Sequence, residues 1–234
     1  MTQSPAAANT PSAMSGRSRE VSSRQSEPHP RLAEVLERHR ATRWKQPLHP
    51  PTIAAFRALE RQLAPGEHER LVLDSGCGTG DSTRALARLH PDSVVIGVDR
   101  SAARLARTGV GAEPLRQDNC LWVRAELASF WRLALAAGWR PRVHYLLYPN
   151  PWPKPGQLQR RWHGHPVFPD LVALGGRLVM RTNWAVYAQE FAFALGRARG
   201  RDVAVDKLAR PDGLTPFERK YRDSGHCLYE VSDG

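Results

Sequence analysis

The segment LDSGCGTG, from Leu73 to Gly80, brings together residues with separate uses toward a ligand. Gly76, Gly78 and Gly80 permit a tight turn and let a bound group approach without Cβ contact. Their spacing is GxGxG, whereas a dinucleotide turn reads GxGxxG. Asp74 stands just before the turn, where it would repel a diphosphate and attract an ammonium or a sulfonium. Asp99 closes the next apolar run and is suited to accept from both hydroxyls of a ribose.

A second stretch, LLYPNPWPKPGQLQRRW, runs from Leu146 to Trp162. Its apolar start stops at Pro149, and Pro149 and Pro151 restrict the backbone on both sides of Asn150. Lys154, Arg160 and Arg161 follow at intervals suited to phosphate contacts. Trp152 is expected to pack, with stacking on a base as the other use for its ring.

These residues need a frame to hold them. Helical spacing over RLAEVLERHR and PPTIAAFRALERQL predicts a helical extension at residues 30–64. Strand and helix signals then alternate. Seven strands are expected, over RLVLDSG, SVVIGVD, CLWVRAE, VHYLLYP, GGRLVMRTN, DVAVDKL and HCLYEV, with helices between most of them. That order predicts an α/β domain with a mostly parallel sheet and helices on both faces. Ligands of such sheets sit beyond the carboxyl ends of the strands, where both stretches fall.

The 234 residues suffice for one domain, expected over 30–234. Residues 1–29 are rich in Ser, Ala, Pro and Gln and are expected to be a disordered tail. No apolar run approaches membrane-spanning length, and no secretory signal is evident, so a cytoplasmic protein without a membrane partner is expected. Cys77, Cys120 and Cys227 lack CxxC spacing, and His163 and His165 lack further ligands in sequence. Free thiols and no metal site are expected. The formal charge is +11, which suits a polyanionic partner such as nucleic acid. Arg outnumbers Lys thirty to four, so genomic composition also accounts for part of that excess.

An acid, three alternating glycines and an acid at the next strand end resemble the S-adenosylmethionine (SAM) site of class I, Rossmann-like methyltransferases. In that fold a side chain near the third strand holds the adenine amino group, which makes Asn119 and Glu126 candidates. Three further signatures narrow the resemblance: YPNPWPK followed by Arg160–Arg161, TNWAVYA at Thr182–Ala188, and LTPFERKYRDSGH at Leu214–His226. In this order and at these distances they are similar to the signatures of bacterial tRNA (guanine-N7)-methyltransferases, over roughly residues 65–231. The resemblance implies SAM as cofactor, with contacts at Asp74, Asp99, Glu126 and Asn150. It implies tRNA as partner, with contacts at Lys154, Asn183 and Thr215, Pro216, Phe217 and Glu218. Arg43, Trp44 and Lys45 are tRNA contacts or a solvated turn, and the chain is a monomer or a homodimer.

Two positions depart from the family pattern, which has Asp where Asn150 and Asn183 stand. Guanine N7 carries a lone pair and no proton, so methyl transfer to it needs orientation more than a base. An amide keeps one acceptor for the guanine edge but lacks the charge that would stabilise a cationic product. The expected function is therefore methyl transfer from SAM to N7 of a guanine in tRNA, the variable-loop guanine first, with Asn150 as the catalytic position. Two other readings stay open: the same fold acting on a different acceptor, and a non-catalytic RNA-binding paralogue. Glu218 binds the guanine edge or caps a helix.

Overall fold

The structure, a computed structural model, describes residues 18–234. The N-terminal layer is α1 (Leu32–Ala41) and α2 (Pro50–Glu60), the second opened by prolines in its first turn. There follow β1 (Leu71–Ser75), α3 (Asp81–Leu89), β2 (Val94–Asp99), the short α4 (Ala102–Leu105), β3 (Leu115–Gln117), β4 (Cys120–Arg124) and α5 (Leu127–Ala136). The second half holds β5 (Val143–Leu147), α6 (Phe168–Ala173), β6 (Arg177–Thr182), α7 (Ala185–Arg199), β7 (Val205–Lys207), α8 (Pro216–Asp223) and β8 (Tyr229–Ser232).

The sheet order is β3-β4-β2-β1-β5-β6-β8-β7. Strands β4, β2, β1, β5 and β6 are parallel neighbours, and β8 runs antiparallel to β6. Every residue of β1 and β2 is buried, which is what continuous apolar runs between two helical layers require. The extension at 30–64 is not a separate unit. Leu32, Leu36, Phe56 and Leu59 join one core with Leu73, Ile96 and Leu121 of the sheet.

Two expectations change, and one open segment takes a definite form. The sheet has eight strands, because Leu115–Gln117 folds back on β4 through a turn at Asp118 and Asn119. Three residues show too little alternation to read as a strand. The segment holding TPFER is a helix, α8, with Thr215 as its N-cap accepting from Glu218 N at 2.9 Å. The tail expectation covers residues 1–29, of which 1–17 lie outside the described residues. Residues 18–29 lie against the domain with defined partners. Gln25 Nε2 donates to Glu190 Oε1 at 2.7 Å, and the backbone amide of His29 donates to the same oxygen at 2.8 Å. Composition did not reveal this, since hydrogen bonds to the folded body hold the segment where apolar burial is scarce.

Candidate active site

The turn after β1 leaves the sheet at its carboxyl edge. Gly76 and Gly78 adopt positive φ, +86° and +58°, and a Cβ on Gly76 would meet nothing within 4 Å. That open space belongs to a cleft of about 530 Å³ lined by Ser75, Gly76, Asp99, Glu126, Tyr148 and Asn150, with Arg100, Arg104, Arg160, Trp162 and His165 at its sides. Gly80 serves another purpose. A Cβ there would lie 2.4 Å from Thr108 and 2.8 Å from the Trp122 indole nitrogen, so this glycine lets α3 pack on the sheet and does not face the cleft.

Asp99 is buried and organises the turn. Its Oδ2 accepts from Gly78 N at 3.0 Å and its Oδ1 from Ser101 N at 2.8 Å, with Arg104 at 3.6 Å. Asp74 is 1 % exposed, and its Oδ2 accepts from Ser82 Oγ at 2.6 Å and Thr83 Oγ1 at 2.7 Å. Its Oδ1 has no donor among the described residues. Burial pushes the Asp74 carboxyl up to about 6 against the pull of the two hydroxyls. A cationic ligand group at Oδ1 would bind only the ionised form. SAM affinity should therefore weaken by up to about tenfold per pH unit below 6 and level off above it. Calorimetric titrations between pH 5 and 7 check this, and Asp74→Asn should flatten the profile.

Several predicted site residues stand elsewhere. Asn119 precedes β4, at the opposite edge of the sheet, where its Nδ2 donates to the carbonyls of Ala87, His90 and Ser93. It closes a turn and cannot reach the cleft; the expectation failed because the residue starts a strand when only strand ends face the ligand. Glu126 does line the cleft, and there it caps α5, accepting from Ala128 N at 2.8 Å and Ser129 N at 2.7 Å. Each oxygen retains a second lone pair for a ligand.

The loop after β5 is strained where it meets the cleft. Tyr148 and Trp152 have φ of +53° and +45°, a region costly for side chains with a Cβ. Asn150 is exposed on the cleft wall, its Oδ1 3.4 Å from Trp152 N. Beneath the loop lies Arg161, fully buried and therefore not a phosphate contact as expected. It donates to the Trp152 carbonyl through Nε at 3.2 Å and Nη2 at 3.1 Å, and to Glu190 Oε2 at 2.6 Å. His163 Nε2 lies 2.8 Å from the same oxygen. Burial holds the His163 ring below its ordinary range, so it donates as a neutral imidazole. With Gln25 and His29 on Oε1, Glu190 has four donors, one for each lone pair. No signal in the sequence marked Glu190, which sits in the middle of the largely buried α7.

Of the other basic candidates, Lys154 is exposed at the start of a 3₁₀ turn, and Arg160 is exposed with its guanidinium 4.9 Å from the Trp152 ring. Trp44 packs edge-on against His165 at 5.0 Å, while Arg43 and Lys45 are exposed. On α8, Phe217 is exposed and Pro216 fills the first turn. Glu218 is completely buried; it pairs with Arg181 at 3.3 Å and accepts from Gly213 N at 2.7 Å, so its carboxylate holds the loop before α8. Neither a capping carboxylate nor one free for guanine describes it. Asn183 follows β6, next to the strand that ends before Asn150. Tyr148, Trp162, Arg100 and Arg104 are cleft residues that reading the sequence did not single out, and His165, weighed there only as a metal ligand, joins them.

A second groove of about 660 Å³ lies between α1, α6 and α7, lined by Leu36, Phe168, Val172 and Arg197 among others. It has no glycine turn and lies away from the strand ends. Among the described residues no group of three metal-ligating side chains occurs, and no helix is long and apolar enough to cross a membrane.

A parallel sheet with a glycine turn after β1, an acid ending β2 and an antiparallel β8 beside β6 is the class I, Rossmann-like methyltransferase fold. Solved structures agree at the level of the fold. An antibiotic-related methyltransferase superposes with a TM-score of 0.50 at 15% identity, covering 81% of this chain and 96% of its own. The aminoglycoside resistance methyltransferase NpmB1 gives 0.50 at 19% identity, over 80% and 93% of the two chains. The chain belongs to the family described as "Putative methyltransferase", whose profile matches residues 68–231. Among curated relatives, the tRNA (guanine-N(7)-)-methyltransferase of Nitrosomonas europaea is 28% identical over 180 residues, 73% of this chain and 76% of that protein. The enzyme of the same name from Acidithiobacillus ferrooxidans is 29% identical over 178 residues, 69% and 74% of the two chains. One from Treponema pallidum is 29% identical over 164 residues, 69% of this chain and 65% of its own.

Proposed function

We propose that this chain transfers the methyl group of SAM to N7 of a guanine in tRNA, the variable-loop guanine being the first candidate, and that it does so in the cytoplasm. The observation that carries the reading is the cleft at the carboxyl edge of β1, β2 and β5, which joins the glycine turn and Asp99 to Asn150. Membership of a methyltransferase family and relatives named for this reaction support it. The open space at Gly76 and the acceptors of Asp99, Asp74 and Glu126 fit a nucleoside carrying an ammonium. When bound, SAM supplies a sulfonium methyl that the N7 lone pair can take without prior loss of a proton.

The chain's own residues would then orient the base. Asn150 presents amide hydrogens to the cleft, since its Oδ1 faces Trp152 N. Arg100, Arg124, Arg160 and Lys154 are exposed around this edge and make no ion pair among the described residues, which suits phosphates flanking an unstacked guanine.

The test is incubation of unmodified tRNA with methyl-labelled SAM, followed by nucleoside mass spectrometry. N7-methylguanosine in the tRNA digest supports the reading; bound SAM with no methylated nucleoside sinks it. In the same assay Asn150→Asp should raise kcat about fivefold. A charge-assisted contact exceeds a neutral one by roughly 1 kcal/mol, and it would act on the developing cation.

A further inference from the structure

Asn183 poses a problem of orientation. An amide offers an acceptor at one end and two donors at the other, whereas a carboxylate accepts at both. We infer that His226 is a positioning residue that fixes which end of the Asn183 amide is available to the substrate. The inference rests on the reading of guanine as the acceptor base.

The chemistry of the partners sets the direction. His226 Nε2 lies 3.0 Å from the carbonyl oxygen of Ser18. A carbonyl oxygen only accepts, so Nε2 carries the ring proton. With the ring's single proton on Nε2, Nδ1 holds a lone pair, and it lies 3.2 Å from Asn183 Nδ2. The amide nitrogen must therefore donate to the ring, and Oδ1 is turned away from it. No described residue donates to that Oδ1, and it is not an enclosed atom. The result is an acceptor beyond the end of β6, beside the strand that leads to Asn150. Under the proposed function this acceptor would serve the N1–H and N2–H₂ edge of the guanine. An amide turned over would oppose donors with donors.

The ring is itself held on three sides. It stacks on Tyr221 with centroids 5.2 Å apart and planes at 15°, and Tyr221 lies 5.6 Å from Tyr148 of the cleft. The backbone amide of His226 donates to the Tyr221 carbonyl at 3.0 Å. Ser18 is fixed in turn by its amide, which donates to Ser224 Oγ at 2.9 Å. Residue 18 thus acts on residue 183 through one imidazole. With Asp at position 183 the device would be unnecessary, because either oxygen accepts.

Two measurements test this. In ¹⁵N-histidine-labelled protein, the ring signals of His226, assigned through its backbone, should show a protonated Nε2 and an unprotonated Nδ1. A protonated Nδ1 overturns the proposal, and this readout needs no variant and no activity. Kinetically, His226→Ala should lower kcat/KM for tRNA about tenfold, the loss of one oriented hydrogen bond, while the affinity for SAM holds. In the Asn183→Asp background the same change should cost less than about threefold, since orientation no longer matters. Equal losses in both backgrounds would assign His226 a merely structural part and overturn the proposal, as would no loss in either. A wild-type protein that methylates no tRNA would instead remove the proposed acceptor and leave the ring proton's position still decidable.

Discussion

Asp99→Ala should reduce SAM affinity by a hundredfold or more and abolish methylation with it. The carboxylate has two tasks that no neighbour can assume. It holds Gly78 N and Ser101 N, and so shapes both walls of the turn that opens the cleft. Under the proposed function its remaining lone pairs would accept from the ribose of SAM, and hydrogen bonds to a charged group contribute about 1.5–3 kcal/mol each. Two such bonds lost correspond to roughly 10²–10⁴ in affinity. Asp99→Asn should keep one backbone contact and fall between the two. Isothermal titration with SAM measures the series, and thermal melts show whether the fold persists. An Asp99→Ala protein that binds SAM as wild type would remove Asp99 from the site.

The largest effect on stability is expected from Glu190→Ala, about 3–5 kcal/mol, because it leaves Arg161 charged, buried and without its counter-ion. For a chain of this size that lowers the melting temperature by roughly 10 °C. The effect should reach the site as well. Arg161 holds the Trp152 carbonyl in a loop with two residues at positive φ, and such conformations persist only when their surroundings over-determine them. Activity of Glu190→Ala should therefore fall more than the folded fraction does at the assay temperature. Burial would push the Glu190 carboxyl up, but hydrogen bonds from His163 and Arg161 pull it down to about 2. A lowered carboxyl stabilises the fold fully above its ordinary value near 4.5, and that part is lost as pH falls toward 2. Denaturant titrations at pH 7 and pH 3 should show this loss in wild type and little of it in Glu190→Ala.

Arg161 and Glu190 also show where reading the chain runs out. An Arg among other basic residues after a proline-rich loop looks like a phosphate contact, and nothing local distinguishes it from Arg160. Only packing of the loop over α7 puts one of the pair in solvent against Trp152 and the other under it. Asn119 failed for a related reason: it stands at the start of a parallel strand, a full strand length from the carboxyl edge where the ligand lies. Residues 18–29 escaped notice because their attachment is polar and distant, to Glu190, Pro153 and Ser224.

What the amino-acid order determined by itself was the alternation of strands and helices and the chemistry at the strand ends. Continuous apolar runs bounded by Gly, Pro and Asp have few ways to be buried, so LDSGCGTG, Asp99 and the Pro149–Pro151 loop had to emerge at one edge. Tertiary structure alone decided which polar groups face that edge and which face each other. Glu218 and Arg181 meet in the interior, Glu126 turns to cap α5, Asp74 takes both hydroxyls of Ser82 and Thr83 on one oxygen, and Asn183 meets a histidine 43 residues away. These outcomes depend on hydrogen-bond satisfaction between segments far apart in the chain, and a buried polar group takes whichever partner the packed neighbours supply.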